Sequence, residues 1–463
     1  MDAAIALNRF GLGARPGDAA RLGRGAEDWL AGQVGDANSF VLTRPDLPDS
    51  RQAGAALMAF LAERRERRQA NGNANAHAQM NNQNDPRQLV IRLAEVAQPD
   101  VAARVERALT TDNGFAERLV YFWCNHFTVA ATKAQTIAFI GPFEREAVRP
   151  HLNGKFVDLL TATTFHPGML LYLDQAQSIG PNSRLGQRRD AGLNENLGRE
   201  VMELHTVGVH GGYTQADVTE FARALTGWTI VGPRMRRLAA NAQPGETLFV
   251  EQMHEPGARR IMGKTYAEGG REQAIAVLRD LARHPATANH IAVKLTRHFI
   301  ADDPPPEAVS SIERVFLDTD GDLPSVHRAL AALPQAADPA LKKFKSPQDF
   351  VISACRMAGV EAAPMRSIAG SFQMLGQPIF RAPSPAGWDD VSINWAGPDA
   401  IMKRLEWAQA LARRVSMRTP PADLAADVLG ADLSETTRTA IRRAESAEQG
   451  LTLALMSPEF QRR

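Results

Sequence analysis

The apolar residues of this chain recur at the spacing of an α-helix, and that recurrence limits the fold more than any other feature. In "DVTEFARALTG", Val218, Phe221, Ala222 and Leu225 stand at i, i+3, i+4 and i+7 and share one helix face. Thr214, with Asp217 three places on, gives a capping-box start, and Gly227 supplies the stop. "KSPQDFVISACRMAG" repeats the logic with Ser346 as N-cap, Pro347 at the first helical position and Gly359 at the end. Strand pattern is scarce: "TLFVEQMHEPGARRIMGKTY" reads as two short extended segments around an "EPGA" turn. The expectation is a mainly α fold, a multi-helical globular body forming one domain over 1–463, with a small β-hairpin around residues 246–266.

The chain has 463 residues, 44% of them hydrophobic and 23% charged, enough to bury one large core or two modest ones. Its 53 basic residues nearly cancel 52 acidic ones, so no broad field draws nucleic acid or an anionic membrane, and no nucleic-acid partner is expected. No run approaches the roughly 18 apolar residues of a membrane span. The start, "MDAAIALNRFGLGARPGD", lacks a basic segment followed by a long apolar one, which reads as cytoplasmic as encoded. Cys124 and Cys355 both sit inside apolar helical patterns and read as small core residues, not as a disulfide or a zinc site.

Two breaks interrupt the helices. Residues 69–86 form an Asn/Gln-rich tract with no apolar period, expected to be a mobile insertion. Residues 175–192 are too long and too Gly/Ser/Arg-rich for a simple turn, and are expected to roof a site. "FLDTDGDLPSV" mimics a calcium loop, but its glycine is misplaced and no bidentate acid follows, so it reads as a helix-linking turn.

The stretch "NENLGREVMELHTVG" is the most polar helix candidate. On a wheel of about 100° per residue from Asn194, Leu197, Val201 and Leu204 define a buried arc, with Glu195, Arg199 and Glu203 opposite as a charge ladder. Asn194, Gly198 and His205 flank the apolar arc on one side, Asn196 and Glu200 on the other, where side chains can point into a cleft. Gly198 gives up about 1 kcal/mol of helix propensity, which fits close approach by another backbone or a ligand. In "ERLVYFWCNHF" (117–127), His126 falls within the apolar face, where a core histidine satisfied by hydrogen bonds is the plainer reading and a metal ligand or proton carrier the sharper one. Meeting Glu200, Glu203 and His205, it would give a set suited to a divalent transition metal. His290, Lys294, Arg297 and His298 share a face that reads as solvated and basic, with an anion contact as the alternative. "LGQPIFRAPSPAGWDD" is a proline- and glycine-fixed loop ending in Trp388, with Trp395 close behind, able to stack on a sugar, dock a partner, or pack on its own helices.

Taken together, "FWCNHFTVA", "HPGMLLYLDQAQSIGPNS", "NENLGREVMELHTVGVHGGYTQADVTEFARALTGW", "HEPGARRIMG", "HPATANHIAVKLTRHFI", "FKSPQDFVISA" and "LGQPIFRAPSPAGW" stand in the order seen in the bacterial family named domain of unknown function 1800, and the chain resembles that family from about Ala4 to its end. The resemblance implies a predominantly helical fold. It also implies a companion from another family, number 1501, that looks like a sulfatase or alkaline-phosphatase relative with an export signal. Many relatives carry export signals of their own, so the resemblance adds a periplasmic alternative, reached by co-export with a partner. The family's recognisable polar positions fall on Asn125, His126, Asn194, Glu195, Asn196, Arg199, Glu200, Glu203 and His205.

Two functional expectations follow. In the first, a hydrolase-like enzyme uses a cleft between 117–127 and 194–206. Glu200 is its general acid or base and His126 the proton partner or metal ligand; Asn194, Asn196 and Arg199 position substrate, which Asn125, Glu195 and Trp388 contact. In the second, the same residues form a buried polar network in a non-catalytic protein that docks the phosphatase- or sulfatase-like companion.

Overall fold

The computed structural model describes residues 1–73, 86–188, 192–232, 241–340, 343–360 and 365–463. Helices carry the fold, and both capping signals seen in the sequence do their work. Thr214 and Asp217 form a reciprocal capping box on Gln215–Leu225, and the Ser346 side chain accepts the Asp349 amide at the start of Pro347–Met357. Gly227 and Gly359 follow with φ of 92° and 67°, a left-handed turn that favours glycine.

Among the described residues the named strands form two antiparallel pairs. Arg259–Ile261 and Lys264–Tyr266 form the hairpin expected within 246–266, turning at Met262 and Gly263 with φ of 45° and 79°. Thr247–Phe249 does not join that hairpin across "EPGA". It pairs back with Trp228–Ile230, setting Phe249 against Trp228. Local pattern marks a strand but not its partner, and this partner lies some twenty residues upstream.

Two apolar cores meet along one helix. Gly114–His126 buries Phe115, Leu119 and Trp123 in the larger core, together with Phe127, Phe156, Val201, Leu225 and Leu295. The second core gathers Phe350, Trp407, Leu451 and Phe460, with Val105 and Leu109 from Pro86–Thr110. Tyr121, on the remaining face of Gly114–His126, packs against both. That helix therefore presents one face to a core and the other to the seam between cores, where a cavity can form.

Of the 69–86 tract, helix continues through Asn73 and resumes at Pro86; residues 74–85 lie outside the described residues. The 175–192 segment contains two short 3₁₀ turns, and its residues 189–191 also lie outside the description. The calcium-like stretch is a turn: Asp320 and Gly321 have positive φ, and Asp322 caps Leu323–Ala331. Among the described residues no helix is long and apolar enough to cross a membrane.

Candidate functional site

The polar helix is shorter than its pattern implies. Asn196–Glu200 is α-helical, and Val201–His205 continues as a π turn. The wider i→i+5 turn shifts the last residues around the axis. His205 takes a buried place that a continuous α-helix would give to Leu204, which is only half-buried. Gly198 does meet another backbone: a Cβ there would lie 3.2 Å from the Ala222 amide nitrogen, where this helix crosses Gln215–Leu225.

Its polar residues face several directions. Asn194 accepts the Asn196 amide at 2.9 Å in a turn that leads into the helix, and Asn196 itself is exposed. Glu195 accepts from Thr219 at 2.7 Å, from Gln215 at 2.8 Å and from Arg199 at 3.0 Å. These partners, Thr219 foremost, hold its carboxyl below the usual range. Glu200 is half-buried, and burial, with Glu203 beside it, pushes its carboxyl up. Glu203 accepts from the Tyr213 hydroxyl at 3.4 Å.

His126 lies on the other side of a packed seam. Its Nε2 meets the His205 carbonyl at 3.1 Å, and both rings are 1% exposed. His290 points into the same region through Nε2 to the Leu204 carbonyl at 3.0 Å. Burial lowers all three histidines, to about 3 for His205 and about 4 for His290, with Lys294 adding to the effect. No hydrogen bond or ion pair joins His126 to Glu200. Among the described residues no three His, Cys, Asp or Glu side chains stand where they could hold a metal ion, so His126, Glu200, Glu203 and His205 do not converge as ligands. Between these helices the Phe127 ring packs against both imidazoles, its centre 4.5 Å from that of His126 and 5.0 Å from that of His205.

The basic face on Pro285–Phe299 is not solvated as expected. His290, Lys294, Arg297 and His298 are all half-buried, and neighbouring elements supply acceptors to the imidazoles and Arg297. Arg297 donates to the Asp302 carbonyl at 3.2 Å, and His298 Nδ1 stands 2.7 Å from Asp390 Oδ2.

That last contact lies on the wall of the best-formed cavity described, about 920 Å³ of space open to solvent. Its floor is the seam face of Gly114–His126, with Arg118, Tyr121, Cys124 and Asn125; its far wall is the start of Pro347–Met357, with Ser346, Gln348 and Asp349. The "LGQPIFRAPSPAGWDD" loop covers it. Asn125 clasps this loop: its Nδ2 donates to the Trp388 carbonyl at 2.9 Å, and the Trp388 amide donates to its Oδ1 at 2.7 Å. Gly387 lies so close that a Cβ would fall 2.5 Å from the Asn125 carbonyl oxygen, at a φ of 85°.

Paired ions line the cavity. Arg118 and Arg463 donate to opposite oxygens of Asp349 at 2.8 Å and 3.0 Å. Lys343, 2% exposed, reaches Asp390 at 3.2 Å and Asp302 at 3.1 Å. Burial pushes both carboxyls up, but His298 and Lys343 at Asp390, and Arg118 and Arg463 at Asp349, outweigh it and hold them well below the usual range. The reverse holds for His298: burial keeps the ring below its ordinary value despite Asp390. An ionised Asp390 at Nδ1 places the proton there and leaves Nε2 a lone pair, an assignment inferred from the partners. Nε2 is buried without a hydrogen bond.

A second constellation has the residue types of a serine hydrolase. Ser50 Oγ lies 3.2 Å from His166 Nε2 and donates to Glu146 at 2.6 Å. Yet His166 Nδ1 accepts the Gly168 amide at 3.0 Å, capping Pro167–Tyr172, so the ring's proton sits on Nε2. A nitrogen that already carries a proton cannot take one from serine. The Ser50 amide also donates to Glu146 at 2.9 Å, and the group serves as a helix cap.

Of the residues given a catalytic, substrate or metal role from the sequence, only Asn125 and Trp388 line the cavity, while Cys124, Ser346, His298 and Trp395, which the sequence offers in other roles, line it too. The sequence places His298 on a basic face expected to be solvated, and nothing in its pattern marks Lys343, Asp349 or Arg463, which the fold brings to the cavity with Arg118 and Asp390. The available signal was Arg118 within an apolar run and the acidic pair directly after Trp388; their partners come from segments far apart in the chain. The chain belongs to the family described as Protein of unknown function (DUF1800), whose profile matches residues 5–462. No curated protein and no solved structure matches it.

Proposed function

We propose that this member of the DUF1800 family is a hydrolase whose site is the cavity beneath the 378–395 loop. The observation that carries the reading is the 2.7 Å contact between His298 Nδ1 and Asp390 on the cavity wall. Asp390 fixes the ring's orientation and tautomer and stabilises the imidazolium that forms in the reaction. The neutral ring takes a proton from water through Nε2 as the water oxygen attacks, and returns it to the leaving group. Bound substrate must bring that water to Nε2. Cys124 is not the nucleophile: burial pushes its thiol up to about 11. The experiment is turnover of a panel of activated esters, amides and glycosides by the full chain and by His298→Gln, whose amide can still donate to Asp390 but is not basic. General-base loss lowers rate by about 10²–10⁴-fold. Equal turnover by the variant, or none by the wild type on any substrate, overturns the reading.

A second reading, a binding protein that docks a phosphatase- or sulfatase-like companion, draws on the mutual pairing of the cavity's ions and on Ile393, 82% exposed within the loop's continuation. Co-purification of the two proteins, lost on Ile393→Asp, supports it; no co-purification discards it.

A further inference from the structure

We infer that the ligand of this cavity is a neutral polyhydroxylated molecule, a carbohydrate or a glycan-bearing substrate, stacked on Trp388 and Trp395. The inference rests on the cavity being the active site and names what it takes.

The cations are already engaged. Arg118 and Arg463 share Asp349, Lys343 is held between Asp390 and Asp302, and Arg104 is paired with Glu144. An anionic ligand would have to break one of these pairs, whose partners are carboxylates at least two-thirds buried at the lining acids. Among the described lining residues that leaves no spare Arg or Lys for a phosphate or carboxylate.

Most aromatic faces are engaged too. The Arg104 guanidinium lies 4.1 Å from the Tyr121 ring centre and 4.9 Å from that of Phe380, and Arg404 lies 4.4 Å from that of Phe344. Among the described lining residues two rings remain without an internal cation, Trp388 and Trp395, with centres 6.1 Å apart and planes at 54°. A quaternary ammonium needs a cage of several such faces. Two tilted indoles instead offer apolar platforms to the C–H face of a sugar ring.

The polar groups left over match hydroxyls. Among the described residues, the Trp388 indole N–H, the Gln348 side-chain amide and the Asp389 carboxylate have no partner, while the Trp395 indole donates to the Asp389 carbonyl at 3.0 Å. They comprise neutral donors and one strong acceptor beside a stacking surface, which suits groups that both donate and accept.

The full chain is titrated with hexasaccharides of glucose, mannose, xylose and N-acetylglucosamine, read by tryptophan fluorescence and calorimetry, with inorganic phosphate and choline as competing probes. At least one neutral hexasaccharide should bind, and Trp388→Ala should weaken it at least tenfold with the melting temperature retained. Trp395→Ala gives the same test if the first variant does not fold. No binding by any hexasaccharide, or tighter binding of phosphate or choline, overturns the inference. His298→Gln separates the two claims. Sugar binding with turnover undiminished in that variant sinks only the hydrolase reading, whereas His298-dependent hydrolysis without sugar binding sinks only the ligand class.

Discussion

Asn125 and Trp388, 263 positions apart in the chain, hold each other through two reciprocal hydrogen bonds between one side-chain amide and one peptide unit. The carboxamide satisfies a backbone N–H and a carbonyl that would otherwise sit against the cavity floor without partners. Removing it leaves both unpaired, at a cost of about 1–3 kcal/mol. Asn125→Ala should therefore lose stability in that range in urea melts and lose hydrogen-exchange protection at the Trp388 amide. Asn125→Asp keeps the acceptor and loses only the donor, so the Trp388 amide should stay protected. Unchanged protection in Asn125→Ala would show that the loop is held elsewhere.

Acid should unfold the protein through buried imidazoles. His205 and His327 are lowered to about 3 by burial, and His327 Nε2 accepts the Trp123 indole N–H at 3.1 Å, which a protonated ring cannot do. A histidine whose pKa is depressed in the folded state is stable above its ordinary value of 6.5 and loses that stability as pH falls toward the folded value. The loss is about 1.4 kcal/mol per pH unit for each ring between pH 6.5 and 3. Denaturant melts across pH 7 to 4 should show a steep decline, shallower in His327→Gln. A flat profile contradicts this.

Below the cavity, Arg149 makes a bidentate pair with Glu117, at 2.9 Å and 2.6 Å, and also donates to Glu144. Glu117 is 0% exposed. Breaking such a pair from one side leaves an uncompensated buried charge and costs about 3–5 kcal/mol. Glu117→Gln should show that loss by equilibrium unfolding, while Glu117→Leu with Arg149→Met should recover part of it. A loss under 1 kcal/mol in the single variant would mean the charge is solvated.

The helices, their caps and the existence of a small hairpin could be read from the sequence, because each depends on residues within a few positions of one another. Thr214 with Asp217 and Ser346 with Pro347 state their own local structure. The π turn after Glu200 was not readable: it arises from packing, and it moved His205 from a flank into the core. The cavity was readable only in fragments. Asn125 and Trp388 stood out as polar or aromatic residues in unusual settings, but His298 and Asp390 look like ordinary surface charges until folding brings them 2.7 Å apart. The same limit hid Glu117, although a glutamate on an apolar helix face is a signal that a buried arginine must exist.

The measurement that bears most directly on the proposed chemistry is nitrogen-15 NMR of His298 in histidine-labelled protein at pH 7, assigned by its loss in His298→Gln. Burial lowers this ring while Asp390 opposes the effect, so its charge state decides whether it can act as a base. The expected result is a neutral imidazole, protonated at Nδ1 and bare at Nε2, that stays neutral below pH 6.5. An imidazolium at pH 7, with protons on both nitrogens, would contradict the role given to His298 and leave the pair with Asp390 as a structural ion pair.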